Sequence, residues 1–230
     1  YSSAASDVYK RQNGDGDIIF TKDVGDTSAG VSGTTTVGNS STNQIRFLED
    51  TYTFGGGVTT FTTATGDKIK LEKGAATTFT TAGTAINFAG GTIKLSDGSD
   101  LTVNSVGGAI SIAAIGGASD ETVTLNANDA ANADPDSTTE TVTLGAVGDT
   151  SQTEIHNLTV SADDGITLTG AIYTSDHASD GSKGDIVFND AVKVNGTVVV
   201  DSENGIITFG QTVRSSAVSY THLRAHETRC

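Results

Sequence analysis

Gly184-Asp185-Ile186-Val187-Phe188-Asn189-Asp190-Ala191-Val192 is followed 21 residues later by Gly205-Ile206-Ile207-Thr208-Phe209-Gly210-Gln211-Thr212-Val213. Each copy opens on a glycine, alternates apolar and polar residues through Ile-x-Phe, turns, and restarts on valine. A period of two is strand grammar, and it sends Ile186 and Phe188 to one side and Val187 to the other. A unit this short cannot bury an apolar face alone. Stacked on copies of itself, it can.

The same grammar recurs along the chain. Gly16-Asp17-Ile18-Ile19-Phe20 and Asp164-Gly165-Ile166-Thr167-Leu168 are variants of the unit, and Leu168 precedes Phe188 by 20 residues. Glu121-Thr122-Val123-Thr124-Leu125 returns as Glu140-Thr141-Val142-Thr143-Leu144 after 19, and Thr59-Thr60-Phe61-Thr62-Thr63-Ala64 returns as Thr77-Thr78-Phe79-Thr80-Thr81-Ala82 after 18. These offsets predict an all-β, right-handed parallel β-helix (a β-solenoid) with coils of about 20 residues, each lying about 4.8 Å above the last. About ten such coils would make a rod roughly 50 Å long at that spacing. Phe20, Leu168, Ile186, Phe188, Ile207 and Phe209 are the expected core ladder, with Phe188 over Leu168 and under Phe209. Each buried side chain of this kind contributes roughly 1.5–3 kcal/mol. The alternative is an antiparallel β-sandwich of the same short strands. A sandwich has no need of evenly spaced, near-identical segments.

The two ends differ in composition from the middle. Residues 1–12, with Ser2 to Gln12 reading SSAASDVYKRQ, and residues 217–230, with Val218 to Thr228 reading VSYTHLRAHET, resemble translated transposase-library sequencing adapters. One adapter end translates to Asp7-Val8-Tyr9-Lys10-Arg11-Gln12, and its reverse complement, shifted in frame, to Val218-Ser219-Tyr220-Thr221-His222-Leu223. Residues 13–216 are then the native repeat segment. The whole chain has a formal net charge of −15. Setting aside Lys10, Arg11, Arg224, Arg229, Asp7 and Glu227 leaves 9 basic and 26 acidic residues, a formal −17. Such an excess argues against nucleic acid as a partner. No window approaches 18 consecutive apolar residues, so no membrane insertion is expected within this fragment. Cys230 is the single cysteine, and it lies in the tail.

Few residues suggest chemistry. Asn13, Asp15 and Asp17 alternate in NGDGD, and Asn132, Asp134 and Asp136 in NADPD. Oxygen-rich loops with this spacing can hold calcium weakly. Neither completes an EF-hand, and Asp and Asn are also ordinary turn formers. No other cofactor is implied. Asn126 to Thr139 breaks the strand rhythm and reads as a corner loop protruding from the rod. Asp163-Asp164 is an adjacent carboxylate pair of the kind that could serve acid and base roles, but it precedes Gly165 and reads better as a solvated turn. His156 stands ahead of a strand at Leu158, where a histidine is more often structural than a general base. Gly55-Gly56-Gly57 lacks the lysine of a P-loop, and no Gly-x-Ser-x-Gly elbow occurs.

The G-D-I-x-F…V grammar, clearest in Gly184-Asp185-Ile186-Val187-Phe188, resembles filamentous-haemagglutinin-type exoproteins and related giant β-strand-repeat adhesins of bacteria. The resemblance covers most of residues 13–216. It implies export, an extracellular place at the bacterial cell surface, and adhesion or biofilm work on glycans or proteins of host or neighbouring cells. It implies no catalytic residue, because the shaft of such proteins has none. The secretion domain and C-terminal anchor of that group are expected elsewhere in a longer parent chain. Two other classes fit the same architecture: a carbohydrate-active β-helix enzyme (polysaccharide lyase or hydrolase), and a surface-layer or structural protein.

Overall fold

The structure, a computed structural model, describes residues 16–25, 30–129, 139–148, 154–177, 180–216 and 222–223. Among them there is no helix. After β1 (Asp17–Phe20), the chain lays down β2 (Thr35–Gly38), β3 (Gln44–Phe47) and β4 (Thr51–Phe54), then β5 (Thr59–Thr62), β6 (Asp67–Leu71) and β7 (Thr77–Thr81). In the next three coils one long strand bends across two faces: β8 (Ile86–Leu95) before β9 (Leu101–Asn104), β10 (Ile110–Gly116) before β11 (Thr122–Asn126), and β12 (Thr141–Val147) before β13 (Asn157–Ser161). Separate strands return with β14 (Gly165–Leu168), β15 (Ile172–Tyr173) and β16 (Ile186–Phe188), and with β17 (Val192–Val194), β18 (Val199–Asp201) and β19 (Ile207–Phe209). β20 (Val213–Ser215) and β21 (His222–Leu223) begin a further turn.

Every strand pairing is parallel and joins one coil to the next, which removes the antiparallel sandwich. The pairings make a three-faced solenoid. The first face runs β2-β5-β8-β10-β12-β14-β17-β20, and the second β1-β3-β6-β8-β10-β12-β15-β18-β21. The bent strands fuse these two faces into one 14-stranded sheet, while the third face is a separate 7-stranded sheet, β4 to β19. Seven coils therefore stand where about ten were expected, for a rod roughly 34 Å long at the strand spacing.

The coil length differs too. Register on the first face (Thr35↔Thr59↔Ile86↔Ile110↔Val142↔Ile166↔Val192↔Val213) gives coils of 24, 27, 24, 32, 24, 26 and 21 residues. Only the last matches the 21-residue spacing of the two quoted segments, which do stack directly, Ile186 on Ile207 and Phe188 on Phe209. The offsets of 18 and 19 measure something else. The two Thr-rich copies lie on the first and third faces of one coil, in β5 and β7. The two Glu-Thr-Val-Thr-Leu copies lie on the third face and the next first face, in β11 and β12. Leu168 is corrected likewise. It belongs to the first face between Leu144 and Val194, and the neighbour on the other side of Phe188 is Val160. Phe20 heads the second face, on Phe47. All three faces need the same in-out alternation, so similar strings fit any of them.

The interior is one continuous apolar column. In the first coils it is aromatic: the Phe20 and Phe47 rings stack with centroids 4.9 Å apart, and Tyr52, Phe61, Phe79 and Phe88 continue edge-on or stacked. Tyr52 is fully buried, and its hydroxyl accepts a hydrogen bond from the Glu49 amide at 3.0 Å. Burial lifts its phenol to about 12. Aliphatic side chains such as Ile110, Leu125, Val142 and Leu158 fill the middle. Phe188 then stacks on Phe209 with centroids 5.3 Å apart.

The glycine that opens the quoted unit has a packing reason. A Cβ on Gly184 would strike the carbonyl oxygens of Ser175 and His156, and one on Gly205 would strike that of Gly184. Coils meet backbone to backbone at this corner, where a side chain has no room. His222 and Leu223, placed by the sequence in the adapter-like tail, pair with Val199 and Val200. An open strand edge accepts extended chain of any origin.

Phe188 is fully buried, whereas Phe209 has one neighbouring coil among the described residues and is half-buried. Phe188→Ala is expected to cost about 3–5 kcal/mol and Phe209→Ala less than half as much. Denaturant unfolding of the two variants checks this, and equal losses would contradict the axial column.

Candidate functional site

Of the residues proposed for calcium, Asp15, Asp134 and Asp136 lie outside the described residues, as does most of the loop 126–139. Asp17 begins β1, and its Oδ1 accepts a hydrogen bond from Asn43 Nδ2 at 2.8 Å. Among the described residues, no three His, Cys, Asp or Glu side chains gather in a way that could hold a metal ion. The core-ladder residues line the interior. Polar side chains gather at two corners and in one groove.

The corner between the third and first faces holds Asp129, Glu140, Asp163, Asp164 and Asp190. Glu140 and Asp190 are buried. Their oxygens serve the backbone: Glu140 Oε1 accepts from the Asp129 amide at 3.3 Å, Asp164 Oδ2 from the Glu140 amide at 2.9 Å, and Asp190 Oδ2 from the Ala162 amide at 2.7 Å. Asp163 exchanges two hydrogen bonds with Asn128 across the corner. Burial pushes the Glu140 carboxyl above its ordinary value, and Asp129, Asp163 and Asp164 add to this. Asp163 is raised in the same way, by desolvation and then by Asp190, Asp129 and Asp164. Asp163-Asp164 thus divides its work, one carboxylate facing Asn128 and the other capping a neighbouring coil. The two are not aimed at a common point.

The corner between the second and third faces joins residues with no visible relation in the sequence. His156 is buried, and its Nδ1 lies 3.2 Å from the Ser175 carbonyl. A carbonyl only accepts, so Nδ1 carries the proton, and Nε2 is left to accept from Ser182 Oγ at 3.3 Å. His177 stands edge-on to His156, with centroids 5.1 Å apart, and its Nδ1 is 3.5 Å from carboxylate oxygens of both Asp120 and Asp180. Glu121 is fully buried beside them. Its Oε2 accepts from the Ala118 amide at 2.6 Å, while Oε1 has no hydrogen-bond partner among the described residues, and burial raises its pKa. Asp176 is lowered by Lys183, which donates to it at 2.8 Å, and Asp180 is lowered by Ser182. A serine hydroxyl on a histidine nitrogen is the beginning of a nucleophile–base pair. Here the same atoms tie the corner loop to the coil below.

The groove lies on the first face near its end, about 400 Å³, lined by Thr141, Asp164, Thr167, Lys193, Arg214 and Ser215 among others. Thr143, Thr167, Lys193 and Arg214 occupy one outward position in four successive coils. Lys193 and Arg214 are exposed and enter no ion pair among the described residues. Two adjacent cations can hold an anionic group. Asp164 is the groove's carboxylate, and its Oδ2 is already engaged. Sequence reasoning found Asp164 but not Lys193 or Arg214, because the 21-residue spacing of the two cations becomes meaningful only once the register is known.

No family model, curated protein or solved structure matches the chain.

The raised carboxyls give a pH dependence with a definite sign. Glu121, Glu140 and Asp163 bind protons more readily folded than unfolded. The stability tied to them is full below the ordinary carboxylate range and is lost as pH rises through their elevated values. Asp176 and Asp180 act oppositely and weaken the fold only as pH falls below that range. Thermal melts should therefore peak in mildly acidic buffer and decline toward pH 8. Glu140→Gln keeps an acceptor for the Asp129 amide, and should raise Tm at pH 8 by roughly 2–4 °C per kcal/mol relieved while flattening the profile. A melt that is flat in the parent chain would refute this account.

Proposed function

We propose that residues 13–216 are a shaft segment of a secreted or surface-displayed bacterial repeat protein of the adhesion or biofilm type, working as a non-catalytic rod. The observation that carries this reading is the closed apolar column through all seven coils. Hydrogen bonds along the axis hold each coil to the next, so tension applied at one end loads a whole sheet of bonds together. The outward positions are mostly Thr, Asn, Ser and Asp, as suits a surface that needs solubility. The strand grammar that resembles giant bacterial adhesins supports the same reading.

The second reading is a polysaccharide-active enzyme, and the groove with Asp164, Lys193 and Arg214 is what favours it. Acid–base cleavage uses two carboxyl groups flanking the bond, and the groove offers Asp164 alone among its lining residues.

Two measurements separate the readings. Recovery of the flanking DNA should yield a long open reading frame with more coils of this grammar and an export domain. A short complete gene without an export signal would overturn the shaft. Incubation of the chain with acidic polysaccharides should release no new reducing or unsaturated ends, and release that disappears in Asp164→Asn would establish the enzyme instead.

A further inference from the structure

Basic residues are scarce in this chain, yet three of them share one outward position. Arg46 of β3, Lys70 of β6 and Lys94 of β8 are register partners on the second face in three successive coils. Ile19 precedes the row and Gly116 ends it. All three are half-buried, so their aliphatic stems lie against the sheet and against each other. Like charges directly opposite on neighbouring strands destabilise a sheet, and about 4.8 Å separates these strands.

Internal partners offset little of this. Arg46 gives its Nε and Nη2 to Glu72 Oε2 at 2.8 and 2.5 Å. Lys94 Nζ donates to the Gly117 carbonyl at 2.6 Å, which fixes its ammonium without neutralising it. Lys70 lies between them with no ion pair or side-chain hydrogen bond among the described residues. The row thus carries two uncompensated charges at the strand repeat, on a molecule whose net charge is −15. Lys70 in particular brings the fold no electrostatic partner among the described residues.

We propose that this row binds a linear carboxylated polysaccharide laid along the rod axis, with successive carboxylates meeting Lys70 and Lys94. A row one residue wide suits a single chain of regularly spaced acids. A duplex presents phosphates on two strands and needs a broad basic surface, which a single row of cations does not supply. Single-stranded nucleic acid draws affinity from exposed aromatic rings, and among the described residues the large exposed apolar side chains are Val58, Ile206 and Val213. Arg46, the one guanidinium in the row, is committed to Glu72, so the ligand groups are those that suit ammonium ions. This site deepens the shaft reading by giving the rod a ligand, and it rests on that reading only for where such polymers are met. Binding by the isolated chain stands or falls independently.

Polygalacturonate, titrated against the 230-residue chain at low and at physiological salt, is the probe. Binding should be measurable at low salt and weaken as salt rises, with neutral dextran inert. Lys70→Gln with Lys94→Gln should weaken it at least ten-fold without lowering Tm, while Lys70→Arg with Lys94→Arg retains it. Lys22→Gln, away from the row, should bind as the parent does. Absence of binding at low salt overturns the proposal, as does parental affinity in the double Gln variant. Tighter binding of single-stranded DNA than of polygalacturonate would assign the row to nucleic acid and overturn it equally.

Discussion

Hydrogen bonds in this chain run along the rod, from each strand to the same strand one coil away, and that direction governs the rest. A coil owns almost none of its own stability. Its backbone donors are satisfied by the next coil, and its inward side chains are covered by residues 21 to 35 positions distant in sequence. The consequence is an axial column in which each side chain needs like-sized company above and below. Phe47 has it from Phe20, Tyr52 and Phe79, and Phe188 from Val160 and Phe209. Stability in such a stack is close to a sum over neighbouring pairs, so irregularity is tolerated wherever it leaves the strand register intact. The 32-residue coil shows this: Ile110 still meets Val142 in register across it.

Corners are where that rule strains. A strand position repeats in and out, but a corner must turn the chain while its backbone groups lose sheet partners. This chain meets the need with buried acids and glycines. Glu121, Glu140 and Asp190 each accept amide hydrogens at a turn, and Gly184 and Gly205 let coils touch backbone to backbone. Satisfying a buried amide outweighs the discomfort of burying a carboxylate only narrowly, since charge burial is costly without a counter-ion. Raised pKa values at Glu121 and Glu140 are the visible residue of that conflict.

The sequence made the strand grammar, the solenoid and the inward set legible, because a period of two and recurrent Gly-x-Ile-x-Phe strings follow directly from what every face requires. Phase was hidden for the same reason. When all three faces accept the same pattern, similarity between Glu121–Leu125 and Glu140–Leu144 cannot say whether they stack or follow one another round the rod. Coil length was read short because within-coil and between-coil spacings were pooled. The site residues were the least legible. His156 and His177, Lys193 and Arg214, and Arg46, Lys70 and Lys94 become neighbours only through register, and register depends on where insertions fall. Isolated in sequence, His156 reads as structural and the others carry no signal.

Inside and outside of the rod therefore answer to different constraints. An inward position is fixed by two neighbours and by a closed apolar space, so Ile, Leu, Val and Phe exchange there but charge does not enter. An outward position on a flat face meets only solvent and the same position one coil away. Thr on Thr is neutral in that setting, which suits the run of Thr51, Thr78, Thr102, Thr124 and Thr159 on the third face. Cation on cation is unfavourable, and at Lys70, which has no ion pair or side-chain hydrogen bond among the described residues, substitution to Thr or Asn would relieve it. Rows such as Arg46–Lys70–Lys94 persist at positions where relief would be easy, and in a chain where acids outnumber bases two to one. In a fold whose interior says only that coils must stack, departures of this kind on the outer faces are the observation from which the polysaccharide proposal starts.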